Sequence, residues 1–415
     1  MLSTITVVPP PITPLVVPPR LGVADTAAAA VLAAVRGRGP IERDAVAKST
    51  ALSVATVNRQ VGALLDAGLL RERPDIAASG AVGRPRIPVE VNHQPFLTLG
   101  LHIGARHTSI VATDLLGRTL DATEIPTPQG DSMKALAALA DSAQHYLRRW
   151  RRRQVLWVGV AVGGTVHGAT GTVTHPRLGW SSAPVGAALA DRLGLRVSVA
   201  SHVDAMAAAE LILALRRAGM PAATTLYVYA RETVGYALVI GGRVHTPARG
   251  PGSIAGLPVR CDLLGQPAVL EAAVSDDAVL RAARAKGILP GEPTMAAVIG
   301  AARRGHAGAT ALLADRARVL GEAIALLSEL LNPDHVVVGG QAFTGYPEAM
   351  AEVQRAVRHP GVDIRVTAFG DNVQEAGAGI VSLSALYADP VSAMRRIRAV
   401  PAVSGSARTP RGSAS

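Results

Sequence analysis

The sequence predicts an α/β fold in two parts, an N-terminal winged helix-turn-helix followed by a larger α/β body of two lobes. Three observations carry this. Residues 25–68 repeat apolar side chains at helical spacing around a tight turn. Beyond residue 95, short runs rich in Val and Leu alternate with Ala-rich helical stretches. The chain is 415 residues long and 49% hydrophobic but only 3% aromatic, so more than one core is expected, filled by Ala and Val rather than by rings.

Residues 1–22 contain Pro9, Pro10, Pro11 and Pro14 and are expected to be a flexible N-terminus. The winged module is expected over 23–92. Asp25 or Thr26 caps a first helix through residues 27–35, which Gly37-Arg38-Gly39-Pro40 ends. A short second helix over 41–48 should turn Ala45 and Val46 inward. Thr50-Ala51-Leu52-Ser53 makes the turn, and Ser53 caps a third helix. In it Val54, Val57, Val61, Leu64 and Leu65 share one face, Thr56, Arg59 and Gln60 lie opposite, and Asn58 sits on the flank. An apolar back with a hydrogen-bonding front suits a helix that enters the major groove, roughly 12 Å wide. Arg71-Glu72-Arg73 and Ile87-Pro88-Val89-Glu90-Val91 should pair as a wing whose tip carries Arg84 and Arg86. The expected contacts to double-stranded DNA are therefore Thr56, Asn58, Arg59 and Gln60 on base edges, and Lys48 and Ser53 on the backbone. Arg84 and Arg86 would take phosphates or a narrow minor groove.

The body is expected over 95–390. Residues 97–103 and 108–114 form a predicted hairpin at Gly104, with further strands at 156–162, 197–200, 225–230 and 235–240. Helices are expected at 133–150, 204–218, 309–331 and 372–387, and Val336-Val337-Val338-Gly339-Gly340 is a buried strand entering a glycine turn. The net charge of +11 is a poor guide to partners, because the final segment, 391–415, has five arginines and no acid and is expected to be a disordered basic tail. Arg148-Arg149-Trp150-Arg151-Arg152-Arg153 has its simplest explanation as a cationic helix C-terminus. Cys261 is the single cysteine, which excludes an intramolecular disulfide and a multi-cysteine zinc site. No apolar run approaches the roughly 18 residues that span a bilayer, and the first residues lack the positive flank of a signal peptide. The expectation is a cytoplasmic, nucleoid-associated protein without membrane contact.

Seven ordered segments, taken together, resemble the ROK family (repressors, open reading frames and sugar kinases) across residues 25–390. They are Ala51-Leu52-Ser53-Val54-Ala55-Thr56-Val57, Gly83-Arg84-Pro85-Arg86, Leu99-Gly100-Leu101-His102-Ile103-Gly104, Asp114-Leu115-Leu116-Gly117, Pro176-Arg177-Leu178-Gly179-Trp180, Ala205-Met206-Ala207-Ala208-Ala209-Glu210 and Asn332-Pro333-Asp334-His335-Val336-Val337-Val338-Gly339-Gly340. The resemblance implies an actin-like, ribonuclease-H-like two-lobed body and, in the repressor branch, the N-terminal winged helix.

The departures are as informative. Where the family's kinases have Asp-Ile-Gly-Gly-Thr to hold Mg²⁺ and phosphate, this chain has His102-Ile103-Gly104-Ala105-Arg106, and a neutral imidazole is a poor ligand for a hard cation. Ser201-His202 stands at the catalytic Asn-Asp pair, and Arg231-Glu232-Thr233 at the second phosphate loop. All three changes point away from phosphoryl transfer. Gly256 occupies the position of the family's zinc-binding His, and Cys261 alone remains in its Cys-rich region. Neither zinc nor ATP with magnesium is expected. An interlobe pocket lined by Arg177, Trp180, Ser201, His202, Asp204, Ser253 and Glu271 is expected to take a sugar-like or phosphorylated effector, the arginine favouring an anion. The reading that follows is a DNA-binding transcriptional regulator, a repressor of carbohydrate or related metabolism, acting as a homodimer or tetramer on an inverted-repeat operator. Two alternatives stay open: a sugar kinase with an accessory DNA-binding domain, and a regulator whose body is only a dimerisation scaffold.

Overall fold

The computed structural model describes residues 15–76, 86–214, 223–247, 250–263, 268–357 and 362–399. Helix starts in the N-terminal module fall where capping side chains stand. Thr26 Oγ1 accepts from the Ala29 amide at 3.2 Å to begin α1 (Ala27–Arg38). Helix α2 (Arg43–Thr50) ends at Ala51, whose φ of 55° turns the chain sharply. Ser53 Oγ then accepts from the Thr56 amide at 3.2 Å and begins α3 (Val54–Asp66). The short strands β1 (Leu70–Glu72) and β2 (Val89–Val91) pair antiparallel, Leu70 opposite Val91. Val31, Val46, Val57, Val61, Leu64 and Val89 are fully buried between these elements. Two inward-facing expectations shift. Val54 is 48% exposed because it stands in the first turn of α3, clear of its neighbours. Ala47 takes the buried place expected for Ala45, since α2 starts at Arg43 rather than Ile41 and its inner face rotates accordingly.

The first lobe runs β3 (Phe96–Ile103), β4 (His107–Thr113), β5 (Thr119–Pro126), α4 (Ser132–Leu147) and β6 (Gln154–Val162). It continues through a small sheet of β7 (Thr165–His167), β8 (Thr172–His175) and β9 (Trp180–Ala183), then α5 (Val185–Leu193), β10 (Val197–Ser201) and α6 (His202–Leu213). The second lobe has β11 (Thr225–Ala230), β12 (Val234–Ile240), β13 (Arg243–His245), the short pair β14 (Pro258–Val259) and β15 (Ala268–Val269), and α7 (Leu270–Val274). After these come α8 (Asp276–Ala285), α9 (Met295–Arg303), α10 (Ala307–Leu331), β16 (His335–Gly339), α11 (Gln341–Thr344), α12 (Met350–Ala356) and β17 (Asp363–Val366). The chain then returns to the first lobe as α13 (Val373–Ala388) and α14 (Pro390–Arg398). The main sheets are ordered β10-β6-β3-β4-β5 and β13-β12-β11-β16-β17, the same plan twice: a meander of three strands with two parallel strands added on one side.

Helix α13 lies directly on β3 and β6. A Cβ on Gly159 would sit 2.1 Å from the Ser382 amide nitrogen, and one on Gly100 2.8 Å from the backbone of Ala378. Only glycine lets helix and sheet approach this closely.

Both chain ends depart from expectation. The described part of the N-terminal segment, from residue 15 onward, is a strap laid across one edge of each sheet. The Val17 amide donates to Val197 O at 2.9 Å, and the Val197 amide to Leu15 O at 2.8 Å, on β10. The Val23 amide donates to Gly242 O and the Val244 amide to Leu21 O, both at 2.8 Å, on the β13 side. Pro18 and Pro19, which lack an N–H, fall between the two bonded stretches. The flexible leader expected over 1–22 is thus ordered from residue 15; residues 1–14 lie outside the described residues. The basic tail is likewise helical at first. Asp389 caps α14 by accepting from the Ser392 amide at 3.3 Å, Pro390 fits its first turn, and Ala393 and Met394 are buried. Arg398 Nη2 donates to the Asp66 and Ala67 carbonyls at the end of α3, at 3.3 and 3.1 Å. A composition count missed the apolar face of this helix; residues 400–415 lie outside the described residues. Among the described residues no helix is long and apolar enough to cross a membrane.

Candidate functional site

The outer face of α3 carries most of the side chains expected to meet base edges. Its C-terminal end is tied to α14 by Arg398, while its N-terminal turns carry exposed Val54, Ala55, Asn58 and Arg59. Neither Arg59 nor the exposed Lys48 makes an ion pair among the described residues, so both cations are available. Gln60 is half-buried. Ser53 donates its hydroxyl to Thr56 Oγ1 at 2.9 Å, so these two side chains hold the cap together. Arg86 does not stand on an unengaged tip as expected: it pairs with Asp44 at 3.0 Å and lies 3.8 Å from Glu42, because the first turn of α2 and the residue that precedes it present two carboxylates. Arg71 and Arg73 are both held by Glu90, at 2.6 and 2.9 Å. Arg84 lies outside the described residues.

The seven residues expected to line one interlobe pocket are separated. Arg177 spans the lobes, donating to Glu232 O at 2.8 Å and to Asp277 at 2.9 Å, and Arg106 binds the same carboxylate. It is a latch between lobes, with its charge already met by Asp277. Trp180 is 2% exposed within the core of the first lobe and offers no stacking face. Ser253 is exposed and accepts from the Ala255 amide. Glu271 accepts from the Val234 amide at 3.1 Å, steadying the turn into β12. These four do not converge, because ion pairing and packing claim each one first.

His202 faces a small cavity of about 40 Å³ together with His102, His175, Tyr229 and the Arg231-Glu232-Thr233 loop. Its ring stacks on His102 at 5.9 Å, and Tyr229 lies 5.3 Å away. Burial, reinforced by His175, pushes the His202 pKa down to about 4. Burial, then His202 and Arg231, hold His102 well below the usual imidazole range, and its Nε2 has no hydrogen-bond partner among the described residues. This is where the two family phosphate loops would face one another. A neutral imidazole and the side chains of Arg231 and Glu232 occupy it, and Gln374 ties Arg231 to Tyr229 at 3.1 and 2.8 Å. These groups do not fit Mg²⁺ with a nucleotide phosphate. The zinc position fits no better: Gly256 is exposed, Cys261 is buried in the core of the second lobe, and no three His, Cys, Asp or Glu among the described residues are placed to share a metal ion.

Ser201 and Asp204 face a larger cavity of about 660 Å³ that the sequence did not reveal. Ser201 Oγ accepts from the Asp204 amide at 3.2 Å at the start of α6, and Asp204 Oδ2 accepts from Thr246 Oγ1 at 3.3 Å. Asp204 is 2% exposed. Burial pushes its pKa up to about 7 against the pull of the Thr246 and Ser201 hydroxyls. Pro18, Pro19, Arg20 and Leu21 of the strap form one wall.

A model of the ROK family matches residues 98–383. The chain belongs to the ROK family. It is 64% identical over 401 residues to a transcriptional regulator of Mycobacterium tuberculosis, covering 93% of this chain and 92% of that one. It is 23% identical over 329 residues to the N-acetylglucosamine repressor of Escherichia coli, covering 75% and 80%. Among solved structures, a ROK family transcriptional regulator described as a homologue of the E. coli MLC protein superposes with a TM-score of 0.73 at 22% identity, over 89% of this chain and 97% of that one. A ROK family glucokinase from Streptomyces griseus, solved with glucose and AMPPNP, superposes at 0.59 and 21% identity over 69% and 99%. These likenesses support the fold class read from the sequence, a helix-turn-helix module joined to a sugar-kinase-like body.

Proposed function

We propose that this ROK protein is a sequence-specific DNA-binding transcriptional regulator, a repressor whose body senses a small sugar-like effector and does not act as a kinase. One observation carries the reading. The chain keeps an unobstructed recognition helix with Asn58 and Arg59 exposed, while the place where a kinase would hold nucleotide phosphate is filled by His102, His202, Arg231 and Glu232. The naming of the 64% identical relative as a transcriptional regulator supports it. Zinc and ATP with magnesium have no role in this reading. A two-fold dimer would bind an inverted repeat, with Arg59 on a guanine edge and Lys48 on the backbone.

The test is to map bound sites across the genome and then footprint the recovered operator. Arg59→Ala is expected to lose about 1–3 kcal/mol of discrimination at one base pair per half-site. An Arg59→Ala protein that protects the same operator as well as the parent would remove the base-reading assignment. ATP-dependent phosphorylation of a hexose by the purified protein would overturn the non-kinase reading.

A further inference from the structure

We propose that the cavity beneath the N-terminal strap is the effector site of this chain, that it takes a non-anionic small molecule rich in hydroxyl or amine donors, and that the strap is its moving wall. This rests on the regulator reading above and assigns its ligand site. The family-aligned positions Arg177, Trp180, Ser253 and Glu271 do not line this cavity. Its volume, about 660 Å³, admits a molecule of monosaccharide size.

The chemistry of the wall selects the ligand. Asp204 presents a buried carboxylate that accepts from the Thr246 hydroxyl, with no cation in ion-pair contact among the described residues. Ligand hydroxyls or an amine would supply the donors that the Asp204 oxygens favour, whereas a phosphate would bring only further acceptor oxygens and a desolvation cost to this wall. Arg243, on the same wall, is already held by Asp25. Arg20 is exposed at the rim.

The strap gives the cavity a path to the DNA-binding module. It is bonded to β10 of one lobe and to the β13 side of the other, so a change in lobe separation must stretch or release it. Its far end runs without interruption into α1. There Thr26 Oγ1 donates to Ala388 O at 3.3 Å, and Arg36 donates to Ile212 O at 2.9 Å with its guanidinium 4.3 Å over the Tyr387 ring. The module therefore rests on the ends of α6 and α13, and α6 begins at the cavity. A ligand that binds one strap position better than another shifts the population of module orientations.

The experiment uses the full chain and three ring-matched probes: neutral D-glucose, cationic D-glucosamine and dianionic D-glucose 6-phosphate. Binding is followed by calorimetry, the strap by hydrogen–deuterium exchange of the peptide spanning residues 15–25, and DNA binding in the same samples. Glucose or glucosamine is expected to bind, glucose 6-phosphate at least about tenfold more weakly. Occupancy should change exchange at the Val17 and Val23 amides. Thr246→Val and Asp204→Asn should each weaken binding about tenfold or more, the mutual presence of both variants guarding against a folding defect in either. Tighter binding of the 6-phosphate, binding that leaves the strap or either folded variant unchanged, or no binding by any probe overturns the assignment. A strap response to ligand in a protein that binds no DNA would sustain the cavity and sink the regulator reading instead.

Discussion

The rings of His102 and His202 are stacked 5.9 Å apart, and burial keeps both neutral. Because the His202 pKa falls from about 6.5 to about 4 in the folded chain, the fold favours the unprotonated ring. Stability from this residue is complete above pH 6.5 and is lost as pH drops from 6.5 toward 4, by at most about 3 kcal/mol. Asp204 acts in the opposite sense, since a carboxyl held near 7 favours its protonated form and loses stability as pH rises from 3.8 to 7. His202→Gln is therefore expected to lose less thermal stability than the parent between pH 7 and pH 5, measured by unfolding at each pH; an unchanged difference would contradict the buried neutral ring. The sequence named His202, Ser201 and Asp204 as pocket residues, and each does line a cavity. It did not show that His202 points into one and the other two into another, because residues adjacent on a helix start face different ways. Arg177 and Trp180 were legible as residue types suited to a ligand, but their partners, Asp277 and the core of the first lobe, come from distant sequence.

At the scale of elements, what the sequence revealed follows burial. The central strands β6 and β16 are covered on both faces and appear as unbroken apolar runs. Strand β5 went unseen because it is a sheet edge carrying Thr119, Asp121, Thr123 and Glu124 with one face in solvent. The strap escaped notice since prolines interrupt its two pairing stretches, and its bonds are to strands far along the chain. Helix α13 was legible, but its intimacy with the sheet was not. Gly159→Ala is expected to destabilise the chain by roughly 1–3 kcal/mol or more, because the new methyl meets backbone rather than a side chain that can move aside. Urea unfolding measures this, and a change below about 0.5 kcal/mol would mean α13 can lift from β6 without cost.

Across the whole molecule, the two lobes are joined by the chain crossings around α6 and α13, by the strap, and at the cleft mouth by Asp277 between Arg106 and Arg177. The latch is partly exposed, so it adds little to global stability, on the order of 1 kcal/mol. Its effect should be on shape. Asp277→Asn is expected to leave the unfolding midpoint nearly unchanged, raise the radius of gyration in X-ray scattering and speed amide exchange in the Arg231-Glu232-Thr233 loop. A variant as closed as the parent would assign lobe closure to the other connections.

The strap also decides how far this protein can be divided. Cutting before residue 95 would strip β10 and β13 of the hydrogen-bonding partners that Leu15, Val17 and Leu21 supply, leaving bare edges open to pairing with another copy. Cutting after the wing would take from α1 the supports at Ala388, Ile212 and Tyr387. The N-terminal module and the body are thus not interchangeable cassettes, and under the proposed function a new DNA specificity is better grafted onto the exposed turns of α3 than obtained by exchanging the module whole.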